Sequence, residues 1–181
     1  MRSEEREVKR FTIRDMAMTA VFTAVLCAVA PFSLFIGPIP LSFATFIIYL
    51  AAGTLDFRSG VVSVALYVAL GAVGLPVFTG FEGGFQKIAG VTGGFIIGYI
   101  VCAAAIGSVM LLPGKKRFTY IFGMVIGTLL LYTCGTAWFM LQTGSSLRAS
   151  LMLCAVPFFP GDAAKIAAAS IIAPQLRRAI R

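Results

Sequence analysis

Residues 93–112 read GGFIIGYIVCAAAIGSVMLL, residues 113–117 read PGKKR, and residues 120–141 read YIFGMVIGTLLLYTCGTAWFML. Two apolar runs of about 20 residues each, the length a helix needs to cross a 30 Å hydrocarbon core, flank a Pro-Gly turn that carries consecutive cations. Working outward, apolar runs recur at 16–30, 42–55, 61–73 and 147–173. The last is interrupted by Pro157-Phe158-Phe159-Pro160-Gly161, and two prolines cannot continue a helix. The final helix is therefore expected to start at Gly161-Asp162 and to end before Pro174, with 147–157 a short re-entrant or interfacial segment. The pattern predicts an all-α integral membrane protein of six transmembrane helices in a single domain. Residues 1–14 form an N-terminal segment, 15–176 the bundle and 177–181 a tail.

Composition agrees. The chain of 181 residues is 59% hydrophobic and only 12% charged, against roughly 25% charged for a soluble domain. The net charge of +8 does not indicate a nucleic-acid partner, because Lys and Arg sit in short clusters between apolar runs. With the N-terminus inside, every basic residue but Lys87, Arg148 and Lys165 falls on the cytoplasmic side, so both termini are expected there. Residues 1–14 mix Arg2, Arg6 and Lys9 with Glu4, Glu5 and Glu7, too acidic for a signal-peptide n-region, and are expected to be retained. There is no His, and Cys27, Cys102, Cys134 and Cys154 lack metal-site spacing, so no metal is expected. No nucleophile and base pair stands out, and no phosphate-binding Gly-rich loop with a following Lys occurs; the chain is not expected to be an enzyme or to hydrolyse ATP itself.

The polar residues that remain gather toward the outer side. Asp162 and Lys165, three apart, share a helix face at membrane depth. Such charges mark functional sites by default, and they equally suit an ion pair that fixes a helix end. The stretch containing Gly83, Gly84, Gln86, Lys87, Thr92 and Gly93 offers close backbone approach and a cation; composition alone favours an outer loop with glycines placed for turns. Trp138 reads as an interfacial anchor or a pocket wall. Ala20, Ala24 and Ala28 form a small-residue stripe that serves either internal packing or a partner helix.

Three stretches carry a resemblance. Gly71-Ala72-Val73-Gly74-Leu75-Pro76-Val77-Phe78 with Gly83-Gly84, then Gly90-Val91-Thr92-Gly93-Gly94-Phe95, then Pro157-Phe158-Phe159-Pro160-Gly161-Asp162-Ala163-Ala164-Lys165 closely resemble the BioY family in order and over about 14–178. These are the biotin-specific S-components of energy-coupling-factor (ECF) vitamin transporters. Pro40-Leu41-Ser42-Phe43-Ala44-Thr45 resembles the family's P-x-[TS]-x-Q-T with Ala in place of Gln, and Val91 and Phe95 stand where the family has Pro and Tyr.

The resemblance implies a six-helix S-component bundle in the plasma membrane of a prokaryote. It implies biotin as transported ligand, no cofactor, and a transmembrane coupling protein with an ATPase pair as partners. Asp162 and Lys165 match the family's polar binding pair, and the helix-one alanines fit its docking of the coupling protein. The substrate-binding residues expected are Asp162, Lys165, Gly83, Gly84, Gln86, Lys87, Thr92, Gly93 and Trp138. An S-component for another small vitamin, or a membrane scaffold without ligand, are the rivals.

Overall fold

A computed structural model describes residues 12–35, 40–113 and 117–180. In chain order the elements are α1 (Ile13–Val29), β1 (Ser33–Phe35), β2 (Pro40–Ser42), α2 (Ala44–Thr54), α3 (Phe57–Val73), α4 (Phe85–Ala89), α5 (Gly93–Val109), α6 (Arg117–Thr143), α7 (Leu147–Cys154) and α8 (Phe159–Ile180). The bulk of the expected N-terminal segment, part of the 37–40 connection, Lys115 and Lys116 of the basic turn, and Arg181 lie outside the described residues.

Large apolar side chains cover the outside as well as fill the core. Val21, Val25, Leu66, Leu70, Phe122 and Leu129 are exposed, whereas Thr19, Thr23, Ser63, Thr128, Asp162 and Arg177 are buried. In water such a surface is an aggregation liability; against lipid it is the favourable one. Two of the buried hydroxyl contacts tie helices together. Thr23 donates to the Ser63 carbonyl across α1 and α3 at 3.1 Å, and Tyr49 shares a hydrogen bond of 2.6 Å with Thr128 across α2 and α6.

Helices α5 and α6 form the most extensive contact and run antiparallel through small residues. A Cβ at Gly98 would stand 2.8 Å from a Leu131 methyl, and one at Gly127 would stand 2.9 Å from the Cys102 sulfur. Without a hydrophobic driving force inside lipid, close backbone approach supplies the dispersion contacts that hold such a pair. Helix α2 is enclosed: of its 11 residues only Phe46 is not buried, and α8, α5, α3 and α1 wall it.

Several expectations are corrected. The chain is mostly helical, as expected, and adds one short antiparallel pair, β1 and β2, with Ser33 opposite Ser42. The lengths alone do not establish six spans. Among the described residues, helix α6 alone is long and apolar enough to cross a membrane, α7 and α8 pass together across a 49° bend, and α2, α3 and α5 are shorter apolar helices. At 1.5 Å per residue, α2 covers about 16 Å, roughly half the hydrocarbon thickness. The break before α3 is only Leu55-Asp56, since Phe57 to Gly60 are helical, with Gly60 against Ala52 of α2 and Phe57 against Gly107 of α5.

Helix α8 begins at Phe159 rather than Gly161, and Pro174 lies inside it. Pro160 falls in the first turn, where the missing N–H has no intrahelical partner anyway. Beyond Pro174 the helix is held from its side. Arg177, expected in a tail, is buried and donates to the Gly53 carbonyl at 3.2 Å, with its other amine 3.6 Å from the Asp56 carboxylate.

Candidate functional site

The short α2 leaves room above its N-terminus. Ser42 and Thr45 lie there, and the Ser42 hydroxyl accepts from the Ala44 N–H at 3.0 Å, which satisfies one of the donors that open α2. Asp162 sits in the first turn of α8, where a carboxylate is favoured by the helix dipole, and Lys165 follows one turn on.

Three side chains close around Asp162. One carboxylate oxygen accepts from Lys165 at 2.9 Å and from Thr45 at 3.3 Å; the other accepts from the Tyr132 hydroxyl at 2.7 Å. Lys165 donates also to the Ser42 carbonyl at 2.7 Å and to the Thr45 hydroxyl at 2.9 Å. An ammonium has three donors, and these three bonds use all of them. A carboxylate has about four acceptor positions, and three are used. The site therefore offers one unused acceptor position on Asp162 and the lone pairs of Tyr132, both in a place where unpaired polar groups are costly.

These groups open into a cleft lined from α2, α3, α5, α6 and α8. Its walls include Tyr67, Phe78, Phe95, Tyr99 and Phe158, with Tyr67 and Phe78 meeting edge to face at 5.7 Å between centroids. Lys87 and Thr92 line it as well.

The segment between α3 and α5 folds back over that cleft. The Gly84 N–H donates to the Gly71 carbonyl at 2.7 Å and the Gly80 N–H to the Pro31 carbonyl at 2.9 Å. A side chain at Gly83 would strike the Leu75 carbonyl, so only glycine admits this closeness. At the other end the Trp138 indole donates to the Gly90 carbonyl at 2.9 Å and Gln142 to the Ala89 carbonyl at 3.0 Å.

Of the residues expected to bind substrate, Asp162, Lys165, Lys87 and Thr92 come together in the cleft. Gly83 and Gln86 border a separate shallow depression with Glu82 and Lys87. Gly84 opens α4 at φ +94°, and Gly93 lets α5 pass against the Ile88 carbonyl. Trp138 is outside the lining, its donor spent on the loop. Ala20, Ala24 and Ala28 are exposed along α1, so the stripe does not serve packing within this chain.

Ser42, Thr45, Tyr132 and the aromatic walls were not anticipated. The signal for two of them was present, since Ser42 and Thr45 occupy the hydroxyl positions of the P-x-[TS]-x-Q-T pattern.

The BioY family matches residues 3–181. This chain belongs to the BioY family. It is 35% identical over 168 residues to the biotin transporter BioY of Thermotoga maritima, covering 92% of this chain and 97% of the relative. It is 34% identical over 164 residues to the probable biotin transporter BioY of Pyrococcus horikoshii, covering 91% and 96%. The fold is similar to the crystal structure, at 2.1 Å, of the S-component for biotin from an ECF-type ABC transporter, with a TM-score of 0.83, 25% identity and 92% of each chain covered. The relatives are named biotin transporters of prokaryotes, and membership of their family makes this a membrane protein of transport. The BioY bundle described above, apolar on its surface, fits that setting.

Proposed function

We propose that this BioY-family chain is the biotin-binding uptake subunit of an ECF transporter and that the cleft beside Asp162 is where biotin binds. The observation that carries the reading is the Asp162 carboxylate, buried at 4% exposure, ringed by Tyr132, Thr45 and Lys165 and opening on an aromatic cleft. Biotin offers a ureido group with two N–H donors and one carbonyl, an apolar bicycle and a carboxylate tail. The N–H donors suit the remaining acceptor position of Asp162 and the Tyr132 oxygen. The ureido carbonyl takes a proton donor from Lys165, which exchanges one of its present bonds. The bicycle lies among Tyr67, Phe78 and Tyr99, and the carboxylate extends toward Lys87.

Six membrane passes follow if α7 and α8 together make the sixth and the shorter helices are completed by loops. Both termini then face the cytoplasm, and the segment from Pro76 to Val91 faces outward. The exposed alanine face of α1 takes a helix of the transmembrane coupling protein, and an ATPase pair supplies hydrolysis. Calorimetric titration of the detergent-solubilised chain with biotin, with desthiobiotin and lipoate as competitors, tests the reading. Saturable biotin binding, strongly competed by desthiobiotin and weakly by lipoate, is the expected result. Preference for lipoate, or no binding, overturns it.

A further inference from the structure

The charge balance of the cleft leads to a residue outside it. Among the described residues that line the cleft, Asp162 and Lys165 neutralise each other, and Lys87 supplies the remaining charge. Its ammonium is ion-paired with the Glu82 carboxylate. Glu82 does not line the cleft; it borders the shallow outer depression with Gly83, Gln86 and Lys87. The side chains of Lys87 and Glu82 are 28% and 56% exposed, so the pair stands at the boundary between cleft and water.

Glu82 is placed by its backbone and not by its charge. Its carbonyl accepts from the Phe78 N–H at 2.9 Å, in an isolated antiparallel bridge that also sets the Phe78 ring against Tyr67. The carboxylate can therefore leave Lys87 without unmaking the turn. We infer that Glu82 is a built-in stand-in for the ligand's carboxylate, holding Lys87 until a monoanionic ligand arrives and yielding the ammonium to it. The inference rests on the proposed placement of the biotin carboxylate at Lys87, and adds the residue that sets how strongly a charged tail is preferred over a neutral one. Because both ion pairs lie near water, the exchange is close to balanced, and Glu82 lowers affinity for carboxylates only modestly. In return, Lys87 is never presented bare to small inorganic anions.

Titration of the wild type, Glu82→Gln, Lys87→Gln and the double variant with biotin and with neutral biotinamide tests this, at low and at high ionic strength. Glu82→Gln is expected to tighten biotin binding about two- to fivefold, the worth of a partly exposed ion pair. Biotinamide affinity should stay constant, and the gain should vanish in the Lys87→Gln background and shrink in high salt. Biotin and biotinamide shifting in parallel, or biotin binding unchanged or weakened by Glu82→Gln, overturns the inference and reduces Glu82 to shaping the turn. An effect of Lys87→Gln on neither ligand removes the carboxylate from Lys87 and this inference with it, while leaving the biotin reading intact. Wild type binding neither ligand strikes the biotin reading itself.

Discussion

Asp162 accepts three hydrogen bonds from protein donors, so a change there disturbs the network before any ligand is considered. Asp162→Asn keeps the shape, loses the charge and turns a donor toward donors. Biotin affinity should fall on the order of 10- to 1,000-fold, because a buried charged hydrogen bond loses one partner and leaves the other unpaired. Calorimetry reads that change, and a thermal melt of the same preparation shows whether α8 still folds; affinity near wild type would reduce Asp162 to a helix-end ion pair. Tyr132→Phe is the finer probe, since it removes one donor to Asp162 and leaves the ring. A loss of about tenfold or less is expected, with lipoate discrimination preserved.

The charged pair was legible in the sequence because carboxylate and ammonium are conspicuous inside an apolar run. Tyr132 was not, and Ser42 and Thr45 were marked only by the P-x-[TS]-x-Q-T pattern, since a Ser or Thr hydroxyl in a membrane helix commonly bonds its own preceding turn, as Thr128 does to the Met124 carbonyl. Only the fold reveals which hydroxyls point elsewhere.

Among the elements, the α5–α6 pair is the most sensitive to volume. Gly98→Leu puts a branched side chain where a Cβ already meets Leu131 at 2.8 Å and Cys134 at 3.4 Å. It should cost about 1–3 kcal/mol or more, seen as a lower melting temperature in detergent, and an unchanged melt would mean the two helices separate freely. Ala24→Leu lies on the exposed face of α1 and should leave the melt and biotin affinity unchanged while uptake by the assembled transporter falls. Full uptake would show that this face meets lipid alone.

Helix positions were readable from apolar runs bounded by Pro and Gly, whereas helix ends were not. Pro174 was read as a stop, but Arg177 is fastened to Gly53 and Asp56, and that lateral tie carries α8 onward to Ile180. Tertiary contact of this kind leaves no local mark in a sequence. Arg14, at the start of α1, and Arg58, in the first turn of α3, illustrate the same point, because a cluster of cations marks a side of the membrane and not the residue at which a helix begins.

At the scale of the whole molecule, orientation can be tested directly. In a background freed of Cys27, Cys102, Cys134 and Cys154, a cysteine at exposed Gln86 should react with a membrane-impermeant reagent in intact cells, and one at exposed Arg58 should not. The reverse pattern would invert the topology. The number of buried-to-exposed reversals also bears on how the molecule is made. Helix α2 presents scarcely any face to lipid, and about 16 Å of helix cannot bridge the hydrocarbon layer. A segment of that kind has no stable resting place as it leaves the insertion machinery, and must wait for neighbours. Thr45 in its first turn and Ser42 just before it find Lys165, and its Gly53 carbonyl finds Arg177, only when α8 has been synthesised. Chains halted before Phe159 thus lack Asp162, Lys165 and the α8 wall of α2, so that the pocket and the core helix of this protein are completed together, in the closing stages of translation.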